Sequence, residues 1–302
     1  MTVNIKVCNR ELKSEDRLVR IVRLDGEQFS HLDDPETMIN GLRECGVRTD
    51  LFTFMQSPPE TAPKYPYHME WDNLAVLPVS TFQNWWMHQI RSEARTKARK
   101  AEKKGVVLRE IPFDDAFLRG MCAIYNECPI RQGRPFPHYG MDIDKARSYA
   151  GTFIERSIFI GAFLDDCMIG FIKLITDERL KVACAIHVLS LIQHTDKAPT
   201  NALIAKAVQS CADRGISFMV YGNMHYGRKT GDSLSQFKET NGFRRTDLPR
   251  YYVPLSPLGS IALRLRLHHR LADYCPEIVM EQLRELRKTW YMSRLRGATA
   301  GL

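Results

Sequence analysis

Residues 157–176 read SIFIGAFLDDCMIGFIKLIT, and this stretch decides the fold class. Ser157 to Leu164 and Cys167 to Thr176 carry the strongest strand signal in the chain, and Asp165-Asp166 between them is the turn of a hairpin. A third strand runs from Lys181 to Leu191, reached through a turn at Asp177-Glu178-Arg179. Thr200 to Arg214 reads as a helix: Thr200 caps it, Leu203, Ala207, Val208 and Cys211 form the buried face, and Gly215 stops it. Ile216 to Tyr221 is a fourth strand and Ser233 to Thr240 a short helix closed by Asn241-Gly242. Phe243 to Thr246 and Tyr251 to Pro254 form a last pair of strands. Strands interleaved with helices predict an α/β (α+β mixed sheet) class.

Working upstream, Asp144 to Glu155 reads as a helix, and Ile130 to Gly140 is too rich in Gly, Pro and Arg for regular structure. Phe113 to Cys128 is a helix capped near Asp114 and ended by Pro129, and Val106 to Glu110 begins a strand. A long helix runs from Ser80 or Thr81 to Gly105, with Trp85, Ile90 and Ala94 on one face. Its second half, Arg91 to Lys104, carries a local charge of +5. Arg91, Arg95 and Arg99 at i, i+4 spacing share one side. That run reads either as a holder of phosphate or as a solvated helix face.

The first fifty residues are polar and irregular, with a short strand at Leu18–Val22 and a helix starting at Asp34-Pro35 and closed by Gly46. Leu51–Phe54 and Leu74–Val79 are strand-like, and three prolines make Ser57–Lys64 a loop. After Leu255 the chain turns helical and basic, with Pro276 as a break. These helices read either as packed on the core or as lying on an anionic membrane surface with their arginines reaching outward.

The composition is that of an ordinary globular protein, 44% hydrophobic and 26% charged, which excludes disordered and fibrous classes. No apolar run approaches the ~20 residues of a membrane span, and no signal peptide is legible, so a cytoplasmic location is expected, with peripheral contact at the inner membrane surface left open. The eight cysteines are scattered without a CxxC pair or a tight Cys/His cluster, which predicts no metal site and no disulfide framework. A net charge of +8 favours an anionic partner: nucleic acid, anionic lipid or a phosphorylated substrate or cofactor.

The order hairpin, third strand, helix, strand, short helix, Asn-Gly-Phe, strand resembles the GNAT acyltransferase superfamily. Phe237-Lys238-Glu239-Thr240-Asn241-Gly242-Phe243-Arg244-Arg245, followed by Arg250-Tyr251-Tyr252-Val253, resembles that superfamily's closing element. The basic helix ending at Lys103-Lys104-Gly105-Val106 resembles the same position in the Fem-type aminoacyl-transferase branch, whose members add amino acids to peptidoglycan precursors. The likeness spans roughly Trp85 to Leu255. It implies a catalytic domain at 111–255, an N-terminal α/β region at 1–110 that is a second, degenerate GNAT-like half, and a basic helical segment at 256–302. It also implies transfer of an acyl or aminoacyl group to an amine or hydroxyl of a small-molecule or lipid-linked precursor of the envelope or its polysaccharides. The donor is either acetyl-CoA or another acyl-CoA, or an aminoacyl-tRNA.

The resemblance assigns the donor carbonyl to backbone groups at Val188, Leu189, Ser190 and Leu191. It places the cofactor phosphates at the following turn, where Lys197 and the N–H groups of Thr200 and Asn201 face an anion. That turn, Gln193 to Asn201, has no glycine, whereas the superfamily's pyrophosphate loop is glycine-rich. This departure favours the tRNA donor or a non-catalytic binding or scaffold role. Tyr226 in a polar loop is the expected acid for the leaving group, since a phenol of pKa ~10 suits a departing anion, and Tyr221, read rather as a core strand residue, is the other candidate. His194, with an ordinary pKa near neutrality, is the expected base, and His187 on the other side of the strand end is its rival. Arg131, Arg134, His138 and Tyr139 in the irregular loop, with Asn223, are the expected acceptor contacts. The two arginines are suited either to a phosphate or to acids such as Asp142 and Asp144.

Overall fold

The computed structural model describes residues 2–15, 18–131, 133–225 and 232–269, with 282, 285–287, 289 and 291 beyond them. In chain order the strands and helices are β1 (Thr2–Val7), β2 (Arg10–Glu15), β3 (Ile21–Leu24), α1 (Pro35–Glu44), β4 (Leu51–Met55) and β5 (His68–Pro78). Then come α2 (Phe82–Asn84), α3 (Ser92–Lys103), β6 (Val107–Ile111), α4 (Asp115–Asn126), the two-residue strands β7 (Ile130–Arg131) and β8 (Arg134–Pro135), and α5 (Ile143–Ala150). The rest are β9 (Ser157–Leu164), β10 (Cys167–Asp177), β11 (Val182–Ser190), α6 (Pro199–Asp213), β12 (Phe218–Val220), α7 (Ser233–Thr240), β13 (Arg244–Pro254) and α8 (Pro257–Arg264).

Eleven strands form one mixed sheet in the order β1-β2-β3-β4-β13-β5-β12-β11-β10-β9-β6. Only β3/β4 and β11/β12 pair in parallel; every other neighbour is antiparallel. The connectivity repeats. A hairpin and a third strand lead through α1 to the parallel partner β4, and β9, β10 and β11 lead through α6 to the parallel partner β12. The two halves exchange their closing strands, since β5 pairs with β12 and β13 pairs with β4, while β5 and β13 pair with each other. This is a mixed α/β fold, the class that the sequence predicts.

Period-two alternation explains the layers. On one face of β9 and β10, Ile160, Ala162, Ile172 and Leu174 pack under α6 and under the Ala94, Ala98 and Ala101 stripe of α3. On the other, Phe159 and Phe171 pack against Phe117, Met121 and Tyr125 of α4 and against Ala146 and Ala150 of α5. With alanine at each buried position, α3 comes close to α6 while its lysines stay in water.

Six local readings change. The helix expected from Ser80 is broken: Thr81 caps α2, a π-turn covers Trp85–Gln89, Ile90 is extended, and α3 starts at Ser92. The end of α7 forces the break. The Trp85 indole is fully buried and donates to the Asn241 carbonyl at 2.9 Å, and the Arg91 N–H donates to the Thr240 carbonyl at 2.9 Å. Arg91 therefore stands at the N-cap of α3, before the helix that carries Arg95 and Arg99. Phe243–Thr246 and Tyr251–Pro254 are not two strands; β13 is continuous, because the long β5 pairs with it from Arg244 to Tyr252. Thr200 does not cap α6; Ala198, at φ +52°, takes that place with no side-chain cap, and Pro199 opens the helix. The Arg-rich loop contains the small β7/β8 pair, and α5 stops at Ala150 instead of running to Glu155. The hairpin β1/β2, turned at Cys8-Asn9 with φ +48° and +59°, lies in the stretch read as irregular.

Candidate active site

The parallel pair at the centre of the second half is short. β11 and β12 match only at Val182↔Phe218, Ala183↔Met219 and Cys184↔Val220. Beyond Val220 the chain stays on β5, through the Tyr221 N–H to the Ala75 carbonyl and the Ala75 N–H to the Gly222 carbonyl. It then turns away at Gly222, whose φ is +58°. β11 instead follows β10 to the pair Gly170↔Ser190. From Ala185 to Ser190 the strand thus has no strand partner on its β12 side among the described residues, and the two strands part there. A bulge lies in this stretch, where the register with β10 shifts between Phe171 and Lys173, and His187 sits at φ +53°. Bulges redirect side chains and recur beside active sites.

Arg131 and Glu127 hold the end of β11. The Arg131 guanidinium donates to the Ser190 carbonyl at 3.0 Å, the Ile124 carbonyl at 2.6 Å and Glu127 at 3.0 Å. Glu127 in turn accepts from the backbone N–H groups of Ile192 at 2.6 Å and Gln193 at 2.9 Å. Both terminal nitrogens of Arg131 are therefore engaged within the chain. A 3₁₀ turn, Ile192–Lys197, leads to the uncapped start of α6. There Lys197 Nζ lies 3.3 Å from His194 Nδ1, which brings two of the expected residues together. Thr200 lies in the first turn of α6, and the Asn201 side chain is buried, 3.4 Å from Asn241. Val188, Leu189, Ser190 and Leu191 are half-buried along the cleft-bearing strand and its exit.

One wall is aromatic. The Tyr125 ring stacks on His138 at 5.0 Å, and its hydroxyl lies 3.3 Å from His187 Nδ1. His138 Nε2 lies 3.3 Å from the Tyr149 hydroxyl, and the Tyr149 ring is 4.7 Å from His187. Burial pushes His187 down to about 3, with nearby Lys173 adding to the effect, so the imidazole is neutral at ordinary pH. Burial also lowers His138 and raises the phenols of Tyr125 and Tyr149. Arg134 and Tyr139 are exposed on the loop outside this wall.

The opposite side is polar. The Asn223 amide donates to Asp72 at 3.0 Å, and its carbonyl accepts from Lys238 Nζ at 2.6 Å. Asp72 also accepts from Arg250, which pairs with Glu27 at 2.7 Å. Lys238 is fully buried over the Tyr221 ring, and desolvation pushes it down to about 8. This network fixes the loop up to His225; Tyr226 lies outside the described residues. On the rim, Arg95 and Arg99 stand over the Trp86 ring at 6.0 and 5.5 Å, while Lys97, Lys100, Lys103 and Lys104 are exposed.

Residue patterns did not point to Glu127, Tyr125, Tyr149, Lys173 or Lys238. Lys173 alone left a mark, a single charge in the apolar run GFIKLIT.

No protein-family model matches the sequence, and no curated protein matches it significantly. Solved structures are similar across most of the chain. L-PGS from Bacillus licheniformis aligns with a TM-score of 0.55 and 14% identity over 89% of this chain and 90% of that one. The C-terminal domain of a candidate lysylphosphatidylglycerol synthetase from Agrobacterium fabrum gives 0.55 and 12% over 87% of each. FemX gives 0.51 and 10% over 82% of this chain and 87% of that one. These likenesses show that the chain shares the fold of these proteins.

Proposed function

We propose that this protein transfers an acyl or aminoacyl group, by direct attack, to an amine or hydroxyl of a cell-envelope or polysaccharide precursor. The observation that carries this reading is the parting of β11 from β12 after Cys184/Val220. A strand edge with unpaired N–H groups in a cleft is suited to polarising a donor carbonyl, because fixed donors need no reorganisation as negative charge develops. The donor carbonyl rests on the Val188–Leu191 stretch, and its phosphate on Lys197 and the N–H groups of Thr200 and Asn201. The acceptor enters past the Arg134, His138 and Tyr139 loop and Asn223, with Arg131 holding the strand end. The acceptor nitrogen or oxygen bonds to the carbonyl carbon and gives its proton to His194. The carbon–sulfur or ester carbon–oxygen bond then breaks, and the leaving atom takes a proton from Tyr226.

The left-handed Ala198 carries a Cβ where a pyrophosphate loop takes glycine, which favours an aminoacyl-tRNA donor over an acyl-CoA. A fold shared with FemX and with a candidate lysylphosphatidylglycerol synthetase supports an envelope acceptor. The exposed lysines of α3 provide a positive rim for an anionic donor or a lipid surface. The test is to incubate the purified chain with a panel of aminoacyl-tRNAs and acyl-CoAs and follow both melting temperature and donor consumption. A shift with one donor class, and turnover lost in Tyr226→Phe, supports transfer. No shift with either class overturns it. A shift without turnover in any acceptor extract leaves the same cleft as a binding module.

A further inference from the structure

His68 and Glu70 stand two residues apart on β5, so the pleat puts both side chains on one face of the sheet. The chain returns to that face from far away in sequence. α8, capped by Ser256, ends at Arg264, and a turn with Arg266 at φ +56° delivers His268 and His269. His268 Nε2 lies 3.0 Å from Glu70 Oε1, and His68 Nε2 lies 3.3 Å from the same oxygen. His269 Nε2 lies 3.3 Å from Glu70 Oε2. The ligand atoms of His68, Glu70 and His268 all fall within 4.8 Å of one another.

The 3.0 and 3.3 Å from the imidazoles of His268 and His68 to Glu70 Oε1 are close to the edge of a coordination shell. Bonds of about 2.0–2.1 Å to imidazole nitrogen and carboxylate oxygen, set tetrahedrally, put neighbouring ligand atoms roughly 3.3 Å apart. Imidazole nitrogens with one carboxylate oxygen are a borderline donor set, suited to zinc rather than to magnesium or calcium, which take oxygen shells. The surroundings also fit. The His268 side chain is fully buried, with its ring 4.6 Å from Tyr252 and 4.2 Å from His269, whereas His68 is 47% exposed and leaves a path for an ion.

We propose that His68, Glu70 and His268 bind one zinc ion that clamps the turn after α8 onto the start of β5. Placed between the turn after α8 and the start of β5, the site is structural, holding the point from which the basic C-terminal segment departs. It lies apart from the β11 cleft and does not rest on the transfer reading. In the metal-free chain the same imidazoles serve as hydrogen-bond partners of Glu70, and the ion displaces the shared protons.

The full chain, without a polyhistidine tag, is stripped with a chelator and titrated with Zn²⁺ and, separately, Mg²⁺ by calorimetry; metal content after gel filtration is measured by mass spectrometry. Cobalt(II) substitution reports the geometry. We expect one zinc per chain, no magnesium, a tetrahedral cobalt spectrum and a zinc-dependent rise in melting temperature. Glu70→Gln and His68→Ala, each checked for folding by circular dichroism, should lose more than ~100-fold in zinc affinity, beyond what loss of a supporting partner costs. His88→Ala, on an exposed histidine elsewhere, should bind as the parent does. Should the folded Glu70→Gln and His68→Ala proteins retain the parent affinity, or the parent bind no stoichiometric zinc, the site is refuted.

Discussion

His187 occupies the left-handed region in the middle of a strand, a conformation that costs a non-glycine residue about 1–2 kcal/mol. The cost persists because the bulge turns the ring toward Tyr125 and Tyr149 at the wall of the cleft. Lys173, fully buried behind that wall, donates to the Ala150 carbonyl at 2.8 Å, and desolvation pushes it down to about 8 from an ordinary value of 10.5. Between about pH 8 and 10.5 the unfolded chain binds more protons at this lysine than the folded chain does, so the native state gains stability as pH rises through that window. Chemical denaturation of wild type and Lys173→Met from pH 7 to 10.5 should therefore show the wild type gaining relative to the variant; a constant difference would refute the assignment. Arg131→Ala should cost about 1–3 kcal/mol by freeing the Ser190 carbonyl and a largely buried Glu127, visible as a lower urea midpoint. If that variant also raises the donor KM, Arg131 positions the strand end that holds the donor.

At the level of elements, the second half was legible, and in the first half α1 and β4 were while the β1/β2 hairpin was not. The β9/β10 hairpin, α7 and the cap of α4 match residue patterns closely, because each is specified by local turn and cap chemistry. The break between α2 and α3 was not legible: the buried Trp85 and the end of α7 meet only in the folded chain. Gly242 allows that contact. Its φ is +91°, and a Cβ there would lie 3.2 Å from the Gln89 carbonyl oxygen. Gly242→Ala should thus destabilise by about 1–3 kcal/mol, measured by thermal or urea unfolding. An unchanged midpoint would mean the α2–α3 corner gives way easily. Ala198→Gly acts in the opposite sense, relieving roughly 1 kcal/mol at the start of α6. It should also strengthen acyl-CoA binding if that turn holds phosphate; weaker binding would place the phosphate elsewhere.

Across the whole molecule, the exchange of β5 and β13 ties both halves into one sheet, and no periodicity announces it because the pairing partners lie far apart in the chain. The same distance hides the His68–Glu70–His268 cluster, whose members are separated by 198 residues at the widest hydrogen-bonded pair. Of the expected site residues, the structure brings His194 to Lys197 and His138 to the wall of the cleft, while Arg131 is drawn inward to hold β11. The central claim is that the unpaired edge of β11 grips an activated carbonyl. Its most direct test is hydrogen–deuterium exchange over residues 185–190, with and without a saturating, non-transferable donor analogue. Slower exchange is expected in that stretch and at the first turn of α6 when the donor is bound. Protection elsewhere, with exchange over 185–190 unchanged, would contradict it.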